Sequence, residues 1–283
     1  VASERGVVIT GASSGIGEAC ALALDILGYR VFAGVRRERD GEALNRRASD
    51  RLTPILIDVT EPDSIASASD LVCSQVGPAG LAGLVNNAGI VVAGPLEILP
   101  LAALRTQFEV NVLGQIAVTQ AFLPLLRQGG GRVINMGSIS GKLALPLLGP
   151  YAASKFALEA ITDALRLELR QWAIPVTIIE PGTVGTPIWQ KSGHAANEVV
   201  RSLPSSAQAL YRQLISAVEH TLGKAAGRAV PPEHVARVVA RALVARRPRT
   251  HYVVGWDARL LTILVKLLPV RMRDRLILGV LRC

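Results

Sequence analysis

Aromatic residues are scarce, at 4% of 283 positions, so a core has to be built from Ala, Val, Leu and Ile. Hydrophobic residues still make up half the chain and only 19% is charged, a balance that argues against disorder. Cysteine is nearly absent. Cys20, Cys73 and Cys283 are odd in number, far apart and without ligand spacing, which argues against a disulfide scaffold and a zinc site and fits a reducing compartment. His194, His220, His234 and His251 show neither metal-ligand spacing nor a triad partner, so no metal is expected and they read as structural or solvated. No apolar run reaches the roughly 18 uncharged residues that a membrane-spanning helix needs. The opening Val1-Ala2-Ser3-Glu4-Arg5-Gly6 has no apolar signal core, and a cytoplasmic globular protein is the expectation.

The net charge of +9 is confined to one place. Residues 236–283 hold eleven basic and two acidic side chains, and the rest of the chain is balanced. A nucleic-acid surface spread over the domain is therefore not indicated.

Short apolar runs alternate with longer helical patterns. Gly6–Thr10, Arg30–Gly34, Pro54–Ile57, Gly83–Val85, Arg132–Met136, Val176–Ile179 and Tyr252–Val254 read as strands, and about Gly17 to Leu27 as the first helix, closed by Gly28. Strands that are apolar throughout are covered on both faces, which means a parallel sheet between helices. The expected fold is α/β, a single doubly wound Rossmann-type parallel sheet with helices on both faces and a C-terminal helical appendage. The domain would occupy 1–255, with 184–230 as a mobile substrate-loop insertion, and 256–283 would be a basic, apolar extension.

Thr10-Gly11-Ala12-Ser13-Ser14-Gly15-Ile16-Gly17 lies between the first strand and the first helix. Its glycines allow a tight turn that lets backbone N–H groups and the positive helix end approach a pyrophosphate. Asn86-Asn87-Ala88-Gly89, Ser138, Tyr151-x-x-x-Lys155 and Pro181-Gly182 follow in order. From about Val7 to Thr186 this set resembles the short-chain dehydrogenases/reductases. The resemblance implies a Rossmann fold, a nicotinamide cofactor and hydride exchange with an alcohol or carbonyl. Asp50-Arg51-Leu52, Leu56–Thr60, Gly83–Ile90 and Arg247–Ala258 look like its retinol and hydroxysteroid dehydrogenase branch.

Tyr151 and Lys155 are four apart in a helical segment and face the same way. A free phenol titrates at about 10, and a nearby ammonium favours the phenolate and lowers that value. The pair can thus give a proton to a carbonyl or take one from an alcohol. Any one of these residues has an ordinary structural explanation; the ordered set behind a phosphate turn does not. By resemblance, Lys155 also binds the nicotinamide ribose and Ser138 orients the substrate oxygen. Asn111 matches the family asparagine whose helix distortion holds a water in the relay to Lys155.

The second strand ends in Val35-Arg36-Arg37 with no acid before Glu38. An acid there would accept from a ribose 2′-OH and repel a 2′-phosphate, whereas Arg36 or Arg37, with a hydroxyl from Ser13, can bind the phosphate. NADP(H) is expected, with NAD(H) as the alternative. The resemblance further assigns Gly11, Ser13, Ser14, Gly15, Ile16 and Gly17 to the phosphate turn and Asp58 and Val59 to the adenine. It places Asn87, Ala88 and Gly89 beside the adenosine, and Pro181, Gly182, Thr183, Val184 and Thr186 at the carboxamide.

The stretches bounding the substrate, Ile90–Leu96, Lys142–Leu148 and Ile188-Trp189, are almost wholly apolar, with Lys142 their single charge. They suit a small lipophilic alcohol or carbonyl, steroid-like or retinoid-like by resemblance. The segment 259–282 combines an apolar face with flanking arginines. It fits peripheral contact with an anionic membrane at the inner surface, or packing on the domain or within a homodimer or homotetramer. The other readings are an NAD-linked dehydrogenase of the same branch and a non-catalytic cofactor-binding sensor or scaffold, against which the intact Ser138, Tyr151 and Lys155 argue.

Overall fold

A computed structural model describes residues 5–188 and 205–281. Seven strands, β1 (Gly6–Ile9), β2 (Arg30–Val35), β3 (Leu52–Leu56), β4 (Leu81–Asn86), β5 (Arg132–Met136), β6 (Val176–Pro181) and β7 (His251–Val254), form one sheet. Its order is β3-β2-β1-β4-β5-β6-β7, and every neighbouring pair is parallel.

Alternate residues of the strands serve two cores. Val7 and Ile9 face one core with Val31, Ala33, Ile134 and Ile179, packed by α1 (Gly15–Ile26) and later by Val235, Val239 and Leu243. Val8 faces the other with Phe32, Leu84 and Val133, packed by Val72 of α3 (Pro62–Val76) and by Val118, Phe122 and Leu126. α2 (Glu38–Asn45) closes the end of the first layer through Leu44. Both faces are covered, which is why the strands carry no polar alternation. The first helix begins at Gly15, two residues before the position read from its apolar spacing, because the glycine turn itself enters the helix.

α4 (Leu101–Phe108) runs through a π-helical turn, Glu109–Leu113, into α5 (Gly114–Gly129). Among the described residues this is the one helix long and apolar enough to cross a membrane, and half of it is buried. Catalytic candidates ride on α6 (Gly149–Glu168). Part of the 184–230 segment is a long helix, α7 (Ser205–Ala226), and the segment's ends are stitched by a bridge between Val184 and Val230. Trp189 and His194 lie outside the described residues. α8 (Pro232–Val244) leads to β7, and the tail forms α9 (Trp256–Leu267) and α10 (Val270–Leu281).

The sheet is pinned in its middle by polar groups. Asn86 and Asn135 are register partners on β4 and β5 and join through Asn86 Nδ2 to Asn135 Oδ1 at 2.9 Å. Asn86 Nδ2 also donates to Thr119 Oγ1, and Asn135 Nδ2 to Thr162 Oγ1, each at 2.8 Å. The bonds tie two strands to α5 and α6 across buried space. Asn135→Ala strips a buried amide from both neighbours. It is expected to cost roughly 2 kcal/mol and to lower Tm by about 5 °C in a chain of this size, which a thermal melt would measure.

Candidate active site

The chain runs outward in opposite directions from β1 and β4, so the loops after these two strands part and leave a crevice at the strands' carboxyl ends. A cleft of about 570 Å³ lies there. Gly11 and Gly15 have φ of +66° and +62°, a conformation that side chains resist. The turn also has no room for side chains: a Cβ on Gly11 would meet Ala88 Cα at 2.8 Å, and one on Gly17 would meet the Gly11 carbonyl oxygen at 2.3 Å. Asn87 braces this turn, its Nδ2 donating to the carbonyls of Thr10 and Gly11 at 3.0 and 3.1 Å. In return the Thr10 hydroxyl accepts the backbone N–H groups of Asn87 and Ala88, both at 3.0 Å.

Gly11, Ser13, Ser14, Gly15, Ile16, Arg36, Asp58, Val59, Asn87, Ala88 and Gly89 line one part of the cleft. Ser138, Tyr151, Lys155, Pro181, Gly182, Val184 and Thr186 line another. Four sequence candidates stand behind the wall. Gly17 gives the turn its close approach, and Arg37, an exposed residue at the N-cap position of α2, is not part of the cleft lining. Thr183 offers its N–H to Asp257 Oδ2 at 3.0 Å.

Asn111, the fourth, sits fully buried in the π-helical turn. Its Oδ1 accepts Ile90 N–H at 2.9 Å, and its Nδ2 donates to Ile90 O and Ser154 Oγ. Gln107, a turn earlier and equally buried, holds the same loop by accepting from Val92 N and donating to Ile90 O. Sequence reasoning passed over Gln107, although its i, i+4 spacing from Asn111 was a usable signal. It also passed over Ala103, Thr106 and Val110, which line the cleft from the same helix.

Tyr151 and Lys155 are both buried on α6. Lys155 Nζ lies 5.8 Å from the Tyr151 ring centroid and donates to Met136 O at 2.7 Å. Burial pulls this ammonium down to about 8, and the charge of Glu159 opposes the fall. The phenol moves the other way. Burial raises Tyr151 above its ordinary value while its hydrogen bond with Ser138 lowers it, so the net direction is upward and not the depression expected from an adjacent ammonium. In this geometry the lysine is directed to the Met136 carbonyl and the phenol to Ser138.

Two expectations about the substrate side need correction. Residues 142–148 do not line the cleft; Leu145 and Leu148 form a layer behind it, packed with Val91, Tyr151 and Ile188. Lys142 turns inward to Glu159 and Glu180. His251, read as structural or solvated, puts Nε2 3.3 Å from Glu159. Cys20 is buried and its thiol is pushed up to about 12, consistent with an inert core residue.

A glycine turn at a switch point, a Ser–Tyr–Lys group and a cleft between them define an oxidoreductase that uses a nicotinamide dinucleotide on alcohols and carbonyls. The chain belongs to the short-chain dehydrogenase family, whose model matches residues 5–197. It is 39% identical to human retinol dehydrogenase 5, covering 99% of this chain and 90% of that one. It is 36% identical to bovine 17-beta-hydroxysteroid dehydrogenase type 6, covering 96% and 87%. Among solved structures, a short chain dehydrogenase from Burkholderia cenocepacia in complex with NADP superposes with a TM-score of 0.74 at 25% identity, covering 97% of this chain and 98% of that one.

Gly17→Ala tests the phosphate turn. The added methyl must displace backbone, so nicotinamide dinucleotide binding should weaken more than about tenfold, the equivalent of ~1.4 kcal/mol. Fluorescence titration of the reduced cofactor would read it.

Proposed function

We propose that the protein is an NADP(H)-dependent oxidoreductase that moves a hydride between the nicotinamide and a lipophilic alcohol or its carbonyl partner, with Tyr151 as the general acid/base. The observation that carries this reading is the single cleft. It joins a phosphate turn with Arg36 beside it to Ser138, Tyr151 and Lys155, and continues among Val91, Val92, Ala93, Val110 and Ile188. When bound, the nicotinamide supplies or accepts the hydride. The chain's own residues do the rest. Ser138, bonded to Tyr151, sets the substrate oxygen against the phenol, and Tyr151 gives or takes the proton at that oxygen. Lys155 supplies positive charge behind the phenol. Asn111 and Gln107 fix the loop at Ile90 and Val92, and with it the apolar wall.

Arg36 is exposed at the cleft edge after β2, where its guanidinium can form paired bonds with a 2′-phosphate. Gly34 and Val35 beside it offer no acid to a ribose hydroxyl. A steroid-like or retinoid-like substrate is supported by the apolar wall and by the names of the two relatives. Oxidation of a panel of lipophilic alcohols with NADP⁺ and NAD⁺ tests the reading. Arg36→Ala should raise KM for NADP⁺ roughly ten- to a hundredfold, the worth of a charged hydrogen bond, and leave the NAD⁺ reaction nearly unchanged. Tyr151→Phe should lower kcat by roughly 10² to 10⁴. A Tyr151→Phe enzyme with full turnover would overturn the mechanism, and equal use of both cofactors by the unaltered protein would overturn the NADP assignment.

The tail supports a peripheral membrane contact. Leu260, Ile263 and Leu267 of α9 and Val270, Leu276 and Val280 of α10 are exposed. Arg259, Lys266, Arg271, Arg273 and Arg275 lie among them, a composition suited to an anionic lipid interface. Cosedimentation with phosphatidylglycerol vesicles but not with phosphatidylcholine vesicles is expected. Equal recovery in the supernatant with both would dismiss it, and a sedimentation-velocity run on the same sample would show whether the face pairs two or four copies instead.

A further inference from the structure

One turn beyond Lys155 on the same side of α6 stands Glu159. It belongs to a group of charges that is fully buried at Glu180 and part-buried elsewhere, and none of them lines the cleft. Lys142, four residues after Ser138, places Nζ 2.6 Å from Glu180 Oε1 and 3.4 Å from Glu159 Oε2. Glu180 is fully buried at the end of β6, immediately before Pro181 and Gly182. His251, the first residue of β7, reaches Glu159 at 3.3 Å. The Ser138 loop closes over this group at Gly141, where a Cβ would come within 3.1 Å of both Glu159 Oε1 and Lys155 O.

Such a cluster is poorly explained as a source of stability. Withdrawing charges from water costs several kcal/mol per ion, and apolar residues of similar volume often serve as well or better. Its placement is more informative. Lys142 belongs to the loop that carries Ser138, Glu159 to the helix that carries Tyr151 and Lys155, and Glu180 to the strand that opens into the Pro181-Gly182 segment. The three segments that frame the reacting groups meet in one set of ion pairs.

We propose that Glu159 is a positioning residue for the reaction: a part-buried counter-charge one turn behind Lys155 that, through Lys142 and Glu180, holds α6 against the two loops that frame the nicotinamide. The inference rests on the Tyr151–Lys155 reading given above. Four titratable groups face Glu159: Lys142 from the Ser138 loop, Glu180 from β6, His251 from β7 and Lys155 from its own helix. Burial and the neighbouring Glu180 push Glu159 up to about 8, against the pull of Lys142. Burial draws the Lys142 ammonium down, but its bonds and charges with Glu180 and Glu159 outweigh this and hold it above its ordinary value. Glu159 therefore releases its proton as pH rises, so negative charge builds behind Lys155 over the range in which Lys155 itself would lose its proton.

The test is the pH profile of kcat/KM for alcohol oxidation, compared between the wild type, Glu159→Gln and Glu159→Asp, with cofactor affinity and Tm measured alongside. The limb that falls as pH rises reports Lys155 losing its proton. Glu159→Gln removes an anion near a cation, so the falling limb should move to lower pH by about one unit, and Glu159→Asp should restore most of the displacement. A uniform fall in kcat with both limbs unmoved would overturn the proposal and leave Glu159 a packing residue. Should Glu159→Gln not fold, Lys142→Met serves: without that ammonium Glu159 keeps its proton to higher pH, so the falling limb again moves down. A limb that stays in place in a folded Lys142→Met enzyme overturns the proposal equally. Tyr151→Phe is run in parallel. If it retains full turnover, the acid/base reading fails, whereas an inactive Tyr151→Phe beside an unmoved Glu159→Gln profile rejects this inference alone.

Discussion

The site depends first on a small exchange of hydrogen bonds across the gap between β1 and β4. The Thr10 hydroxyl accepts two backbone N–H groups from Asn87 and Ala88, and the Asn87 amide returns to the carbonyls of Thr10 and Gly11. These strands are neighbours in the sheet, but their loops leave in opposite directions, so nothing in the ladder itself would hold the loops together. Without the brace, a turn with two glycines at positive φ has many conformations open to it. With it, one conformation remains, and the helix end at Gly15 faces the crevice. The packing of Gly11 against Ala88 and of Gly17 against Gly11 is the steric side of the same constraint.

Much of the fold was legible because parallel strands buried on both faces need continuous apolar runs, and all seven runs became strands. The order of the motifs was legible for a related reason: the turn, Asn87 and Ser138 each follow a strand and Pro181 ends one, and a doubly wound sheet delivers those strand ends to one edge. Legibility ended where direction within a loop mattered. Arg36 and Arg37 are adjacent and chemically alike, yet one lines the cleft and the other begins a helix, a difference set by backbone conformation. Lys142 looked like the lone charge of an apolar substrate loop, since its partners Glu159 and Glu180 are 17 and 38 residues away. For His251 the choice between structural and solvated was likewise settled by a partner distant in sequence, Glu159.

The tail shows how an extension distinct in composition can be structurally continuous with the site. Asp257, in the first turn of α9, accepts the N–H of Thr183, and its carboxylate fills the space beside Gly182 and Gly255 where a Cβ would stand at 2.5 and 2.4 Å. The Pro181-Gly182-Thr183 segment is thus held from the C-terminal side by one side chain. A basic and apolar stretch that reads as an addendum thus braces a segment that lines the cleft.

Burial explains why so many charges surround so few reacting atoms. Enclosure excludes water from the reaction, but it favours the neutral form of each group. It raises the phenol of Tyr151 and lowers the ammonium of Lys155, and together these shifts would leave a neutral pair unsuited to move a proton readily in both directions. Each shift is opposed by a separate device: the Ser138 hydroxyl pulls the phenol back, and Glu159 sustains the ammonium. Glu159 is itself part-buried and pushed toward its neutral form in turn, opposed by Lys142, and Lys142 is held charged by Glu180. The chain of compensation stops at His251, a partly exposed side chain at the sheet edge, where solvent again shares the screening. The opposed shifts at the cleft and the ionic cluster beside it are thus two consequences of one enclosure.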